Sequence, residues 1–361
     1  MSEKVRLGFV GCGYMGQLAH IANYATIDDC ELVALAEGRA ETARAVAQRY
    51  GIREVYPNHH EMLERAEIDG VVAIMGFHLY HAPVADILAA GKPVATEKPI
   101  CIQSDSARKL VGQATEKGVL YQVGYMKRHD PASKLVRKTV QDWKASGEMG
   151  GMTYVRIAMP AGDWIYEHER PINKGDSPAA YEGQTGESPP EWMGALGGQY
   201  NGFINFYIHQ VNLLRYLIGE DYRVTYVDPR SHLLVAISDS GVPCTLEMAA
   251  CGMRNRWEES YRICFEKGRI DLQLPAPMAR QRAGDVVIYT SSGFGDANDP
   301  QEIRPLIPQR WAFLEQARHF VHCLKTGSPT ISPAADAIKD LEVSEQYIRC
   351  LMEARKNCFY C

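Results

Sequence analysis

Three short stretches of this 361-residue chain carry residue types at spacings suited to chemistry. The first is "GFVGCGYMG", in which Gly11, Gly13 and Gly16 give the G-x-G-x-x-G spacing around Tyr14 and Met15. Glycine at the first place permits a tight turn, at the second lets backbone approach a pyrophosphate, and at the third lets a helix pack on a strand. Phosphates would then meet unsatisfied N–H groups at the positive end of a helix dipole. The second is "TEKPI", residues 96–100, where an acid and an ammonium precede a proline that fixes the turn. An ammonium presented in this way can steady negative charge developing on an oxygen. The third is "INFYIHQVNLLRYLIG", residues 204–219, which reads as one helix closed by Gly219. Helical periodicity puts Asn205, His209 and Asn212 on one stripe, opposite the apolar Ile204, Ile208, Val211, Leu214 and Ile218. A histidine between two amides is either a hydrogen-bonded, partly buried residue or a proton carrier, and the stripe alone leaves both open.

The glycines acquire meaning only between a strand and a helix, and "KVRLGFV" and "QLAHIANY" supply both. "ELVALAE" reads as the second strand and ends at Glu37, about 20 residues further on, where a carboxylate accepts hydrogen bonds from a ribose. A carboxylate there repels a 2′-phosphate, which favours NAD. Arg39 could pair with that phosphate and keeps NADP as the lesser alternative. "GVVAIM", "KPVATEKPI" and "VLYQVGY" read as buried parallel strands, separated by the helices "HAPVADILAAG" and "SDSARKLVGQATEKG". This alternation predicts a doubly wound parallel sheet. Lys98 then stands at the carboxyl end of a strand, the edge where open α/β sheets bind ligands.

From about residue 126 the pattern changes. "PASKLVRKTVQDWKASGEMGG" is a helix, and "MTYVRIAMP", "HLLVAISD", "CTLEMAAC" and "SYRICFEKGRIDLQL" are alternating strands with a tight turn at Lys267-Gly268. Tyr261, Ile263 and Phe265 share one face, and Arg262 and Cys264 the other. Residues 161–198 lack periodicity and hold Trp164, Tyr166, Tyr181 and Trp192 among Asp163, Glu167, His168, Glu169 and Arg170. Such a long aperiodic stretch is a functional loop or lid, or else an oligomer contact or an ordinary surface loop. Aromatic rings over C–H faces and carboxylates accepting hydroxyl protons suit a sugar.

Bulk properties narrow the partners. A formal net charge of −5 argues against nucleic-acid or acidic-membrane surfaces. No apolar run approaches the roughly 18 residues of a membrane span. "MSEKVRLGFVGCG" enters a strand at once, so no signal peptide and a cytoplasmic location are expected. The ten scattered cysteines are then reduced thiols, and the terminal "CFYC" lacks a second pair at zinc spacing, so no metal site is expected.

Together the glycine turn, Glu37, "HAPVADILAAGKPVATEKPI", "GYMKRHDP" and "IHQVNLLRYLIG" resemble the Gfo/Idh/MocA oxidoreductase family, which includes glucose–fructose oxidoreductase and inositol dehydrogenases. The resemblance runs through the whole chain, and Glu97-Lys98-Pro99 is its most specific element. It implies an α/β fold: an N-terminal Rossmann domain with a doubly wound parallel sheet over 1–125, and a C-terminal α/β domain with a mostly antiparallel open sheet over 126–332. The closing helix, 333–357, would pack back on the first domain. It also implies a homo-oligomer (dimer, tetramer or hexamer) and a nicotinamide lying beside Lys98. The cofactor contacts would come from Gly11, Gly13, Tyr14, Met15, Gly16, Glu37, Arg39, Glu97 and Lys98.

Oxidising a secondary alcohol needs a base for the hydroxyl proton and a donor for the developing alkoxide, roles that suit His209 and Lys98. Arg128, Asp163, Trp164, Asn205 and Asn212 are the expected substrate contacts. The family has aspartates where this chain has Asn205 and Asn212, and glycine where it has Tyr207. An amide can orient a hydroxyl but cannot raise a histidine's basicity. The expected activity is an NAD-dependent dehydrogenase for a ring hydroxyl of a sugar or glycoside, such as C3 of a glucoside with an aromatic aglycone. The alternatives are a glycosidase working through transient oxidation and elimination, and a non-catalytic dinucleotide sensor.

Overall fold

The computed structural model describes residues 4–160, 162–165, 170–178, 186–250, 255–291 and 300–356. Two compact units are present. One comprises Met1–Met126, Glu169–Ile208 and Phe313–Glu342, the other Lys127–His168, His209–Ala312 and Val343–Cys361. Both are discontinuous in sequence, a property that continuous ranges cannot express.

The first unit is built on β1 (Val5–Val10), β2 (Cys30–Ala36), β3 (Glu54–Tyr56), β4 (Gly70–Ala73), β5 (Val94–Glu97) and β6 (Tyr121–Gly124). Their order is β3-β2-β1-β4-β5-β6, with every pairing parallel. Apart from the edge strand β3, these strands are buried nearly throughout, as in a parallel sheet with both faces covered; β4 is buried at every position. The helices Ala40–Tyr50 and Ser104–Lys117 each end at a glycine in the left-handed region, Gly51 and Gly118. Ala317, Phe320 and Val321 of the late helix Ala312–Thr326 enter the same core as Leu7, Phe9 and Leu35. Strand order reverses between β1 and β4, which opens a crevice beyond their carboxyl ends.

The second unit carries an eight-stranded sheet among the described residues. Its strands are β7 (Met152–Ala158), β8 (Tyr222–Val227), β9 (Leu233–Ser238), β10 (Pro243–Glu247), β11 (Ser260–Phe265), β12 (Gly268–Gln273), β13 (Asp285–Thr290) and β14 (Gln301–Ile303). The order is β14-β13-β12-β11-β7-β10-β9-β8; only β7 with β10 is parallel, so the mostly antiparallel open sheet is as expected. Burial alternates along β11, with Tyr261, Ile263 and Phe265 inward. The helix Pro131–Ser146 lies on that face, its Trp143 meeting the Phe265 ring edge-on at 5.1 Å. Asp130 caps this helix by accepting from the Ala132 N–H.

One local expectation is corrected. Residues 204–219 are not a single helix: Gly197–Phe206 and Ile208–Ile218 are separate, with Tyr207 between them at φ −88° and ψ −6°. His209 and Asn212 remain three apart on the second helix, whereas Asn205 belongs to the first. No described helix is long and apolar enough to cross a membrane.

Candidate active site

In the first unit, Gly11, Gly13, Tyr14, Met15, Gly16, Glu37 and Arg39 line one cleft of about 400 Å³ with Ile74, Met75 and Gly76. The cleft stands at the β1/β4 reversal. Gly11 has φ +86°, and a Cβ there would meet the Ile74 carbonyl oxygen at 2.3 Å, so only glycine fits. A Cβ on Gly13 would meet nothing within 4 Å. That space, at the start of the helical turn Gly16–Ile21, suits a pyrophosphate approaching backbone. The residues present therefore fit a dinucleotide. Gln17 braces the turn from beneath: it is 2% exposed and its side-chain amide donates to the Cys12 carbonyl at 2.8 Å.

Glu37 follows β2, and its carboxylate gathers several donors. The Cys12 N–H reaches Oε2 at 2.9 Å, and Arg39 binds it with Nε at 2.9 Å, Nη2 at 2.8 Å and its backbone N–H at 3.1 Å. Burial works to raise the carboxyl's pKa, but the Arg39 and Cys12 hydrogen bonds outweigh it, and Glu37 titrates below the ordinary range. The Cys12 thiol is pushed well up, first by burial and then by the Glu37 charge.

Lys98 leaves the end of β5 ahead of a cis Lys98–Pro99 peptide. Its Nζ donates to the Asn205 carbonyl at 2.5 Å. That carbonyl belongs to the last turn of Gly197–Phe206, where a helix leaves acceptors without intrahelical donors and concentrates negative potential. Thus the break at Tyr207 has a use: Asn205 contributes its backbone oxygen, while its side chain lies at an exposed position. Glu97 is 8% exposed, with Oε1 2.8 Å from His20 Nε2 and Oε2 accepting the Lys98 N–H at 3.2 Å. The Glu97 N–H donates to the Tyr80 hydroxyl oxygen at 3.2 Å. In this arrangement Glu97 positions the backbone that carries Lys98. Gln17, His20 and Tyr80 were not singled out in the sequence, although a glutamine and a histidine within an otherwise apolar helix were a visible signal.

In the second unit, His209 is half-buried near the start of Ile208–Ile218. Asn212 Oδ1 accepts from Arg128 Nε at 2.6 Å, and both residues are almost wholly buried. The Arg128 guanidinium stands 5.0 Å from the Tyr216 ring centre. Beside His209, Gln210 donates to Glu259 at 2.6 Å, and Glu259 also receives Lys127 at 2.5 and 2.6 Å. Asp163 accepts the Ile165 N–H at 3.0 Å, and the Trp164 carbonyl accepts from Met278 N–H at 3.2 Å.

Of the aperiodic stretch, Tyr166, Glu167, His168, Glu169 and Tyr181 lie outside the described residues. Its described parts at 170–178 and 186–190 are fastened to the first unit. Gln17 and Ile172 exchange two hydrogen bonds, of 2.8 and 2.9 Å. Glu187 accepts the Ile102 N–H at 2.9 Å, and Ser188 accepts from Gln103 at 3.0 Å.

A family model described as an oxidoreductase family with an NAD-binding Rossmann fold matches residues 5–125. The chain is 26% identical over 229 residues to an inositol 2-dehydrogenase from Burkholderia lata, 62% of this chain and 57% of that protein. It spans 57% to 65% of the length of this enzyme and its Burkholderia cenocepacia counterpart. The rhizopine catabolism protein MocA of Rhizobium meliloti is 26% identical over 351 residues, 95% of this chain and 93% of its own length. A 3-ketoreductase from Actinomadura kijaniata, solved with TDP-benzene and NADP, shares the fold with a TM-score of 0.67 and 17% identity, over 95% of this chain and 96% of that one. With their parallel sheet and glycine cleft, residues 5–125 form a domain of the Gfo/Idh/MocA oxidoreductase family.

Proposed function

We propose that this chain is an NAD-dependent oxidoreductase that reversibly oxidises a secondary ring hydroxyl of a sugar or glycoside to a keto group. The observation that carries the reading is Lys98. It projects from the carboxyl end of β5, with a helix terminus steadying its charge and the buried Glu97–His20 pair fixing its backbone.

A bound dinucleotide supplies the hydride acceptor. Lys98 donates a hydrogen bond to the reacting oxygen and stabilises negative charge as it develops there. His209 accepts the hydroxyl proton, and in the reverse direction returns it. Arg128 and Asn212 hold each other, and Asn212 orients the substrate side of the His209 helix. Asp163 and Trp164 supply a carboxylate and a ring to a sugar face. The polyol in the name of the inositol 2-dehydrogenases supports this substrate class. The narrower reading is oxidation at C3 of a glucoside with an aromatic aglycone.

A panel of polyols, free sugars and aryl glycosides, followed at the nicotinamide absorbance with product analysis, tests this. Keto-sugar formed in step with reduced nucleotide is the expected result. Aglycone released without net nucleotide reduction would replace the dehydrogenase with an eliminating glycosidase.

A further inference from the structure

The helix Ala40–Tyr50 begins with the wrong residue for capping. Its N-cap position is Arg39, whose side chain makes no capping hydrogen bond. The cap comes instead from Asp176, 134 residues away from Thr42. Asp176 Oδ2 accepts the Glu41 N–H at 2.8 Å and the Thr42 N–H at 3.3 Å, and Oδ1 accepts the Thr42 hydroxyl at 2.5 Å. The Lys174 N–H donates to the same hydroxyl oxygen at 3.1 Å. Four residues earlier, Ile172 is paired with Gln17. Residues 172–176 are therefore strapped across two elements that flank the dinucleotide cleft, the helix after β1 and the helix after β2.

This location is specific. In a doubly wound fold the adenosine ribose lies against the residues that follow the second strand. A 2′-phosphate there is recognised by a nearby arginine and by helix N–H groups. Both recognition elements exist in this chain, and both are already taken by its own carboxylates. Glu37 holds Arg39 through two side-chain hydrogen bonds, and Asp176 holds the helix amides. The Thr42 hydroxyl, opposed by burial and aided by the Glu41 amide, keeps the Asp176 carboxyl below the ordinary range, so it is an anion at neutral pH.

We infer that Asp176 is a specificity-determining residue that occupies the place of an adenosine 2′-phosphate and thereby selects NAD over NADP. Glu37 is then only half of the selection, the other half arriving from a segment remote in sequence. This inference rests on the proposed dinucleotide-dependent activity.

The test is equilibrium binding of NADH and NADPH to the full chain, read by nicotinamide fluorescence, for wild type, Asp176→Asn and Asp176→Ser. The wild type should prefer NADH. Each substitution should narrow the NADH:NADPH ratio by about tenfold, mainly by tightening NADPH, the order expected for removing one like charge beside a phosphate. Hydrogen exchange at the Glu41 and Thr42 amides should accelerate in Asp176→Ser. An unchanged ratio in both variants overturns the inference while leaving the oxidoreductase reading intact, and a wild-type preference for NADPH also overturns it. Failure of the wild type to bind either nucleotide removes the oxidoreductase reading, and this inference falls with it.

Discussion

Two lysines show how differently one side chain can be used. Lys98 is half-buried and its ammonium is held by a backbone carbonyl at a helix end. Lys127 is 5% exposed and its ammonium is gripped by both oxygens of the fully buried Glu259. Around Glu259 also gather Gln210 and the Tyr261 hydroxyl, at 2.6 and 2.7 Å. Burial pulls the Lys127 pKa down, and the Glu259 charge offsets part of that fall. A carbonyl accepts from an ammonium without cancelling its charge, which suits a lysine proposed to donate to a substrate oxygen. A carboxylate cancels the charge, so Lys127 serves architecture. The lesson is that the partner, more than the lysine, decides between chemistry and structure.

That contrast can be broken by exchanging outcomes. Lys98→Ala should lower turnover by about 10²–10⁴-fold, the range for a lost proton-transfer or charge-stabilising group. Nucleotide affinity and the denaturation midpoint should change little; steady-state kinetics alongside a urea titration decides, and unchanged turnover would remove Lys98 from the proposed site. Lys127→Ala should instead cost about 3–5 kcal/mol of stability, because it strands a buried carboxylate. Replacing both partners, Lys127→Met with Glu259→Leu, should recover only part of that loss in the urea midpoint, because the buried Gln210 amide and Tyr261 hydroxyl then lose their acceptor.

A smaller effect separates the regions by pH. Asp130, close to Lys127, is pushed up to about 6 from 3.8, chiefly by burial, against the N–H groups of Gly284 and Ala132. An acid whose folded pKa is raised contributes most at low pH, and that contribution is lost as pH rises from 3.8 through about 6. Asp130→Asn keeps an oxygen for the cap but cannot ionise. Its stability relative to wild type should therefore rise by about 2 kcal/mol between pH 4 and pH 7, measured by thermal or urea unfolding at each pH. A pH-independent difference would show that Asp130 is charged in the fold without penalty.

Much of the first unit was legible because its signals are local. Glycine alone accepts the turn at Gly11, and buried parallel strands read as apolar runs. The reversal that places Lys98 at the ligand edge follows from the βα alternation. The Tyr207 break was not legible: its dihedrals depart only modestly from helical values, and hydrophobic periodicity continues through it. "KRHD" at residues 127–130 is four polar residues in a row, yet all four are buried, and Lys127, Arg128 and Asp130 find partners far along the chain. Lys127 meets Glu259 across 132 residues and Asp176 meets Thr42 across 134, separations that no window of sequence spans. The aperiodic stretch has no period from which to place it, and its described parts at 170–178 and 186–190 bond to the parallel-sheet unit through partners 85 to 155 residues away.

The cysteine in the middle of the glycine turn has a bearing on chemical durability. Thiolates, not thiols, react with peroxide and alkylating agents. Cys12 is completely buried and stands 3.4 Å from a carboxylate, so its proton is held far more tightly than that of an ordinary thiol. Oxidants that reach the exposed surface thus meet an inert sulfur at the phosphate loop. The turn can carry cysteine there, where alanine or serine would be the cautious choice, without turning the cleft into a point of oxidative inactivation.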